Sequence, residues 1–232
     1  MRLSKCETTS VEPQVRSQKK RCVMERYITF GRYPQTAVRT DSTPIEWQVL
    51  EVRDGKALVI SRYGLDVKPF NTHWTDVTWE TCTLRSWLNN EFLRKAFRTT
   101  EQSAILTTAV DNSHGFSEWN TDGGKDTQDQ IFLLSYAEAH QFFSVTLENR
   151  NNKKARVAPT AYAIEMGAFT NSSVKTADRR AAGYWWLRSP GSDQAGAANV
   201  RNDGSLCHDY VGNGRHLVRP AFWLVLSSDI FF

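Results

Sequence analysis

The sequence is poor in the short motifs that announce a reaction. It holds no G-x-S-x-G elbow, no H-E-x-x-H, no G-x-G-x-x-G and no Walker loop. The local markers of an elbow hydrolase, a zincin, a dinucleotide-binding fold and a P-loop nucleotidase are therefore missing. Gly123-Gly124-Lys125-Asp126 lacks the earlier glycine and the following Ser or Thr with which a phosphate loop cradles its nucleotide. Cysteine is scarce, with four residues at positions 6, 22, 82 and 207. No pair has CxxC spacing, which argues against a zinc knuckle or thioredoxin-type motif, and the count demands no oxidising compartment. No run approaches the roughly 18 apolar residues of a membrane span, and the N-terminus has no apolar signal-peptide core. Neither a membrane span nor secretion by a standard signal is expected, although a partner or a virion could carry the chain to a surface. There is no internal repeat.

Charge is also missing from the body of the chain. The net charge of +4 over 232 residues belongs to the first 24, where six Lys or Arg face two Glu; the rest holds 23 basic and 23 acidic residues. A protein that tracks phosphates would carry a basic face on its folded body. Residues 1–24 therefore read as a disordered, solvated tail rather than a nucleic-acid arm, with Met24 as a conceivable true start. Residues 25–232 read as one domain. With eight Trp, twelve Phe and seven Tyr, a sizeable core is expected.

Local patterns predict an α+β fold of short strands, two or more helices and long loops. After the opening segment Tyr27–Gln35, alternation of Ile45, Trp47, Val49 and Val52 predicts a half-buried strand. Asp54-Gly55 predicts a two-residue hairpin turn, with Ala57–Ser61 as the return strand. Leu84, Leu88, Phe92 and Ala96 predict a helix over 83–97, and Thr100-Glu101 opens a short second one. Residues 105–108 read as extended, 111–128 as a loop, and 130–134 as a short buried strand. Ser135 with Glu138 forms a capping-box pattern before a helix to about Phe143. A loop at 146–156 precedes a helix over Thr160–Met166, closed by Gly167. Tyr184–Arg188 reads as a strand, Ser189-Pro190-Gly191 as a turn, and Val218–Leu226 as a final core strand. Strand alternation turns at least one of Trp185 and Trp186 inward. Arg188 and Arg219 read as structural arginines that bond several carbonyls.

Several polar groups invite a chemical reading and fall short of it. Cys207-His208-Asp209 has the residue types of a nucleophile and base, but neighbours on a strand face opposite ways, and three polar loop residues are expected instead. His208, Asp209, His216 and Asp203 could gather a metal only with converging, oriented ligands, which a Gly-rich loop offers poorly. Asp122, Asp126 and Asp129 lack EF-hand spacing and read as solvated loop carboxylates. No cofactor, metal site or catalytic residue is expected.

Asn199 to Arg215 has a different character. Apolar residues are sparse and regularly placed, with Val200, Leu206, Val211 and then Leu217 as anchors. Between them lie acid, base, thiol, imidazole, phenol and amide groups, a mixture that suits a contact surface better than any one reaction. The segment also contains no Lys, Glu, Gln, Met or Trp, residues that pyrimidine-ending codons cannot encode; those present are reachable by changing adenines in an Asn codon.

Two frames then carry a resemblance. Gly183-Tyr184-Trp185-Trp186-Leu187-Arg188-Ser189-Pro190-Gly191, with Ala198-Asn199-Val200, Asp203-Gly204 and Val218-Arg219-Pro220-Ala221, resembles the C-terminal region of variable proteins of diversity-generating retroelements. Ile28-Thr29-Phe30-Gly31-Arg32-Tyr33-Pro34-Gln35 with Trp47-Gln48-Val49-Leu50 resembles the N-terminal end of the same bacterial and phage domain. The likeness spans about residues 27–226. It implies a C-type-lectin-like fold, of the subclass shared with formylglycine-generating enzymes. It also implies a region of about 183–220 diversified by mutagenic reverse transcription, with varied side chains pointing outward from a fixed backbone. The implied ligand-contacting residues are Ser192, Asp193, Asn199, Arg201, Asn202, Ser205, His208, Asp209, Tyr210, Asn213 and Arg215, and the implied ligand is a protein. Only Cys207 stands where the enzyme relatives use a cysteine pair, and the sugar-and-calcium motifs Glu-Pro-Asn and Trp-Asn-Asp are missing. The competing readings are a formylglycine-generating-enzyme-like oxidase and a carbohydrate-binding module resting on Trp185, Trp186 and Tyr210.

Overall fold

The computed structural model describes residues 26–113 and 119–226; the predicted tail at 1–24 lies outside them. In chain order the strands are β1 (Tyr27–Tyr33), β2 (Thr43–Arg53), β3 (Lys56–Ser61), β4 (Asp66–Val67), β5 (Thr108–Val110), β6 (Thr127–Asp129), β7 (Thr170–Lys175), β8 (Ala181–Gly183), β9 (Trp185–Pro190), β10 (Gly196–Val200), β11 (Leu206–Tyr210), β12 (Leu217–Val218) and β13 (Ala221–Val225). The helices are α1 (Thr83–Trp87), α2 (Leu93–Ala96), α3 (Thr99–Gln102), α4 (Tyr136–Phe143) and α5 (Ala161–Glu165), with a π-helical turn at Leu88–Phe92 joining the first two. The result is a mixed α+β fold. A four-stranded antiparallel sheet runs β1-β2-β3-β13, a five-stranded sheet runs β11-β10-β9-β12-β4, and two-stranded ribbons pair β5 with β6 and β7 with β8. In the five-stranded sheet, β12 pairs with β9 in parallel. No helix among the described residues is long and apolar enough to cross a membrane.

Elements with local signals form where the sequence places them. Asp54 and Gly55 both take positive φ, 49° and 71°, the turn whose twist matches the β2–β3 hairpin. Ile45 and Trp47 are fully buried, and a bulge between Val49 and Glu51 sets Val52 opposite Ala57, on the same face as Trp47 and Val49. Val52 is nonetheless exposed, close to the hairpin turn. Leu84, Leu88, Phe92 and Ala96 line the buried side of the α1–π–α2 rod. Ser135 Oγ accepts from Glu138 N–H at 3.2 Å and Glu138 Oε2 accepts from Ser135 N–H at 2.7 Å, so the capping box holds α4 at both bonds. Thr160 caps α5, and Gly167 leaves it at φ 102°.

Four local expectations need correction. Residues 131–134 are buried, but 130–134 form no strand: Phe132 makes a single bridge to Ala221, and the strand lies at β6. Ser189 and Pro190 do not turn; β9 continues through Pro190, which pairs with Ala197 beside a register shift in β10. That irregularity suits a residue with no N–H to give the ladder. Residues 218–226 form two strands in two sheets, because Arg219-Pro220 interrupts the ladder and carries the chain across. Asp129 is not a solvated loop carboxylate. It is 1% exposed, with Arg85 Nε on one oxygen at 2.7 Å and Trp79 Nε1 and Thr127 Oγ1 on the other at 3.0 and 2.6 Å, which is how a buried charge is tolerated. The β7–β8 ribbon carries no pattern that announces it.

The predicted structural arginines behave as such. Arg188 Nη1 donates to Leu133 O at 2.8 Å and to the Glu138 carboxylate, and its Nη2 donates to Asp111 O at 3.1 Å. It therefore ties β9 to α4 and to the loop after β5. Arg219 Nε donates to Ser61 O at 2.8 Å, pinning the crossover between the two sheets. Trp185 and Trp186 are both fully buried; their indole nitrogens donate to Ala155 O at 3.0 Å and Lys68 O at 2.9 Å.

Candidate ligand-binding surface

β9, β10 and β11 form a small antiparallel unit at one edge of the five-stranded sheet, with β11 outermost. Its apolar positions fix it. Ala197, Ala198, Val200, Leu206 and Val211 are all at most 1% exposed, so the anchors expected in the Gly-rich stretch do point inward. The β10–β11 turn closes through Arg201 N–H to Ser205 O and Gly204 N–H to Arg201 O, both 2.9 Å. Gly204 sits at φ 90°, and a Cβ there would lie 2.1 Å from Asn152 O, so neither the backbone nor the space admits a side chain.

The eleven predicted contact residues divide. Ser192, Asp193, Tyr210 and Arg215 are exposed, and Arg201, His208, Asp209 and Asn213 are half-buried. Asn199, Asn202 and Ser205 are 1%, 7% and 0% exposed, so the expectation that all eleven point outward is corrected for these three. Asn199 lies on β10 between β9 and β11, opposite Trp186 and Cys207. Ser205 is drawn into the turn, where its hydroxyl donates to Asp203 Oδ1 at 2.7 Å. Asn202 occupies the same turn, which the bond from Asn152 N–H to Asp203 O holds against the loop before α5.

Pairing sets two faces on β11. On one, His208 stands opposite Ala198 and Tyr210 opposite Gly196, so small neighbours leave both rings free to reach outward. His208 packs edge-on against Trp119, with centroids 5.1 Å apart, and its Nε2 lies 3.2 Å from Ser192 Oγ. Tyr210 lies 5.0 Å from the Trp74 ring. These two are the most exposed large aromatics of the described residues, at 58% and 72%. Ser192 and His208 have the residue types of a hydroxyl nucleophile and base. Both imidazole nitrogens approach the same oxygen, at 3.4 and 3.2 Å, and no described carboxylate bonds the ring to orient it as a triad requires.

The other face carries Cys207 and Asp209 and borders a cavity of about 200 Å³ lined by Phe169, Tyr184, Asp209, Asn213, Arg215 and His216. Asp209 Oδ2 accepts from Asn213 Nδ2 at 2.8 Å, and Asn213 Oδ1 accepts from Arg215 N–H at 3.0 Å. His216 stacks on Trp186 at 4.2 Å, and neither ring nitrogen has a hydrogen-bond partner. Burial lowers its pKa to about 4 despite Asp209, whose Oδ2 is 3.6 Å away. At neutral pH the contact is therefore an uncharged imidazole beside a carboxylate, not an ion pair. Cys207-His208-Asp209 belongs to strand β11, not to the expected loop, and Cys207 Sγ lies 3.3 Å from His208 O. Cys82 caps α1, and burial pushes its thiol up to about 12, so it has little thiolate character. No cluster of three or more metal-binding side chains occurs among the described residues.

Trp74, Trp119, Phe169, Tyr184 and His216 were not among the contacts expected from sequence. Trp74 and Trp119 reach β11 from segments far away in the chain, and no short-range pattern could have found them. A family description, domain of unknown function DUF6273, matches residues 54–226. The chain belongs to the DUF6273 family. No curated protein and no solved structure matches. The DUF6273 match begins at the turn of the β2–β3 hairpin and runs just past β13, so it contains the whole β9–β10–β11 unit, whereas β1 and β2 precede it.

Proposed function

We propose that this DUF6273 protein binds a protein ligand through the exposed face of β11 and its flanking loops, and that this surface differs between copies of the gene. The observation that carries the reading is the exposed Tyr210 of a hairpin whose apolar anchors are fully buried, paired with the exposed Trp74 from the loop before α1. Tyr and Trp supply large contact area at little entropic cost, and small polar neighbours such as Ser192 adapt to the partner. The finer assignments, a C-type-lectin-like topology and diversification by a mutagenic reverse transcriptase, rest on the two terminal sequence frames. The same aromatic pair also favours a second reading, a sugar-stacking platform.

Display of a library randomised at Ser192, Asp193, His208, Tyr210 and Arg215 tests the surface. Most members are expected to fold, and selection on purified lysozyme as an arbitrary protein target is expected to yield binders that Trp74→Ala weakens. A library that largely fails to fold, or binders indifferent to Trp74, would contradict the reading. Binding of the parent protein on a glycan array, lost in both Trp74→Ala and Tyr210→Ala, would favour the sugar platform instead.

A further inference from the structure

A second cleft, of about 240 Å³, shares no residue with the surface above. It is lined by Arg62, Lys153, Lys154, Arg156 and Arg219, against Asp178 as the one carboxylate among the described residues of its wall. The chain beyond residue 24 has equal numbers of basic and acidic residues, so five cations around one hollow are a local concentration. Neutral and aromatic groups aim most of the guanidiniums. Arg219 is held by Ser61 O and by Gln48 Oε1 at 3.2 Å. Arg156 is held by Lys175 O at 2.9 Å and Asn151 Oδ1 at 2.6 Å. Arg62 lies over the Tyr27 and Tyr63 rings and meets Glu46 at 2.9 Å. Asp178 is already engaged by the hydroxyls of Tyr63 and Thr176. Arg156, Lys153 and Lys154 form no ion pair with a described carboxylate, and both lysines are exposed.

The geometry points to a binding site for a small tetrahedral-oxyanion ester, a sugar phosphate or sugar sulfate. Guanidiniums match such oxyanions with paired N–H donors, and lysines add mobile point charges. Bringing an anion in also relieves repulsion between the cations. At about 30 Å³ for each water, the hollow holds the equivalent of about eight waters, room for one oxyanion and a sugar-sized body but not for a nucleic-acid strand.

Calorimetry on the full chain at low salt, with glucose 6-phosphate, glucose 6-sulfate and pyrophosphate as probes and chloride as the ionic-strength control, tests this. Saturable binding of at least one glucose ester is expected, and binding of pyrophosphate alone would contradict a sugar-ester site. Lys153→Gln with Lys154→Gln should weaken it at least tenfold, and Arg156→Gln should do so independently. The tail variant Lys19→Gln, Lys20→Gln, Arg21→Gln should leave it unchanged. A preference for one glucose ester then identifies the oxyanion. No saturable binding at millimolar probe overturns the proposal, as does loss of binding in the tail variant or none in the cleft variants. Both lysines are exposed, so the double variant should melt like the parent, which separates failure to bind from failure to fold.

Discussion

The proposed partition between a fixed frame and a replaceable surface can be measured as stability. Leu206 is 1% exposed, opposite Val200 at the closed end of the β10–β11 hairpin. Leu206→Ala removes a buried side chain from a site held by strand pairing on one side and by the bond from its own N–H to Thr146 O on the other, so collapse around the cavity is restricted. The expected loss is about 2–5 kcal/mol. For a chain of this size that lowers the melting temperature by roughly 5–15 °C. His208, Tyr210 and Arg215 lie on the other side of the partition. Changing all three to Ser removes the ring contacts with Trp119 and Trp74, which are worth about 0.5–1.5 kcal/mol each when fully developed and less at such exposure. Other surface changes stay within about 0.5 kcal/mol. The triple variant is therefore expected to melt well above the single Leu206→Ala variant in parallel calorimetric scans. A triple variant as unstable as Leu206→Ala would refute the division into frame and surface.

Two further outcomes follow from buried groups beside that surface. His216 gains a proton near 6.5 in the unfolded chain but only near 4 in the fold, so below 6.5 the unfolded chain binds more protons and folding weakens as pH falls toward 4. The shift corresponds to roughly 3 kcal/mol. Urea titrations of His216→Phe, which keeps a ring on Trp186, should show a smaller stability difference between pH 7.5 and 4.5 than the parent; an unchanged difference would count against the burial argument. Asn199 has neither amide atom bonded within the protein at 1% exposure, and an unmet buried amide costs about 1–3 kcal/mol. Asn199→Leu should therefore be neutral or stabilising by thermal melting, whereas a loss of several degrees would show that the amide is engaged.

How much of this could be read from the sequence depends on the range of the signal. The Asp54-Gly55 turn, the Ser135–Glu138 capping box and the inward anchors Val200, Leu206 and Val211 are set by neighbours a few residues away, and each forms as expected. Asp129 resembles any loop carboxylate until Arg85 and Trp79, more than forty residues earlier, meet it. Asn199 and Ser205 are polar residues in a polar stretch, and only the neighbouring strands and the turn geometry bury them. The aromatic half of the candidate site had no local signal, because Trp74 meets Tyr210 through the tertiary fold alone. The break at Arg219-Pro220 was visible as a proline, yet the apolar run around it concealed that the chain changes sheets there.

The central claim is that the exposed residues of 192–215 vary while the frame stays fixed, and sequencing the gene's own locus tests it most directly. The account predicts a near-copy of the segment encoding Gly183–Pro220 beside a reverse transcriptase gene. The two copies should differ at adenines, with the changes falling on codons such as those of Ser192, His208, Tyr210 and Arg215 and sparing Val200, Leu206, Val211 and Leu217. A locus with neither near-copy nor reverse transcriptase, or differences spread equally over buried and exposed codons, would contradict it.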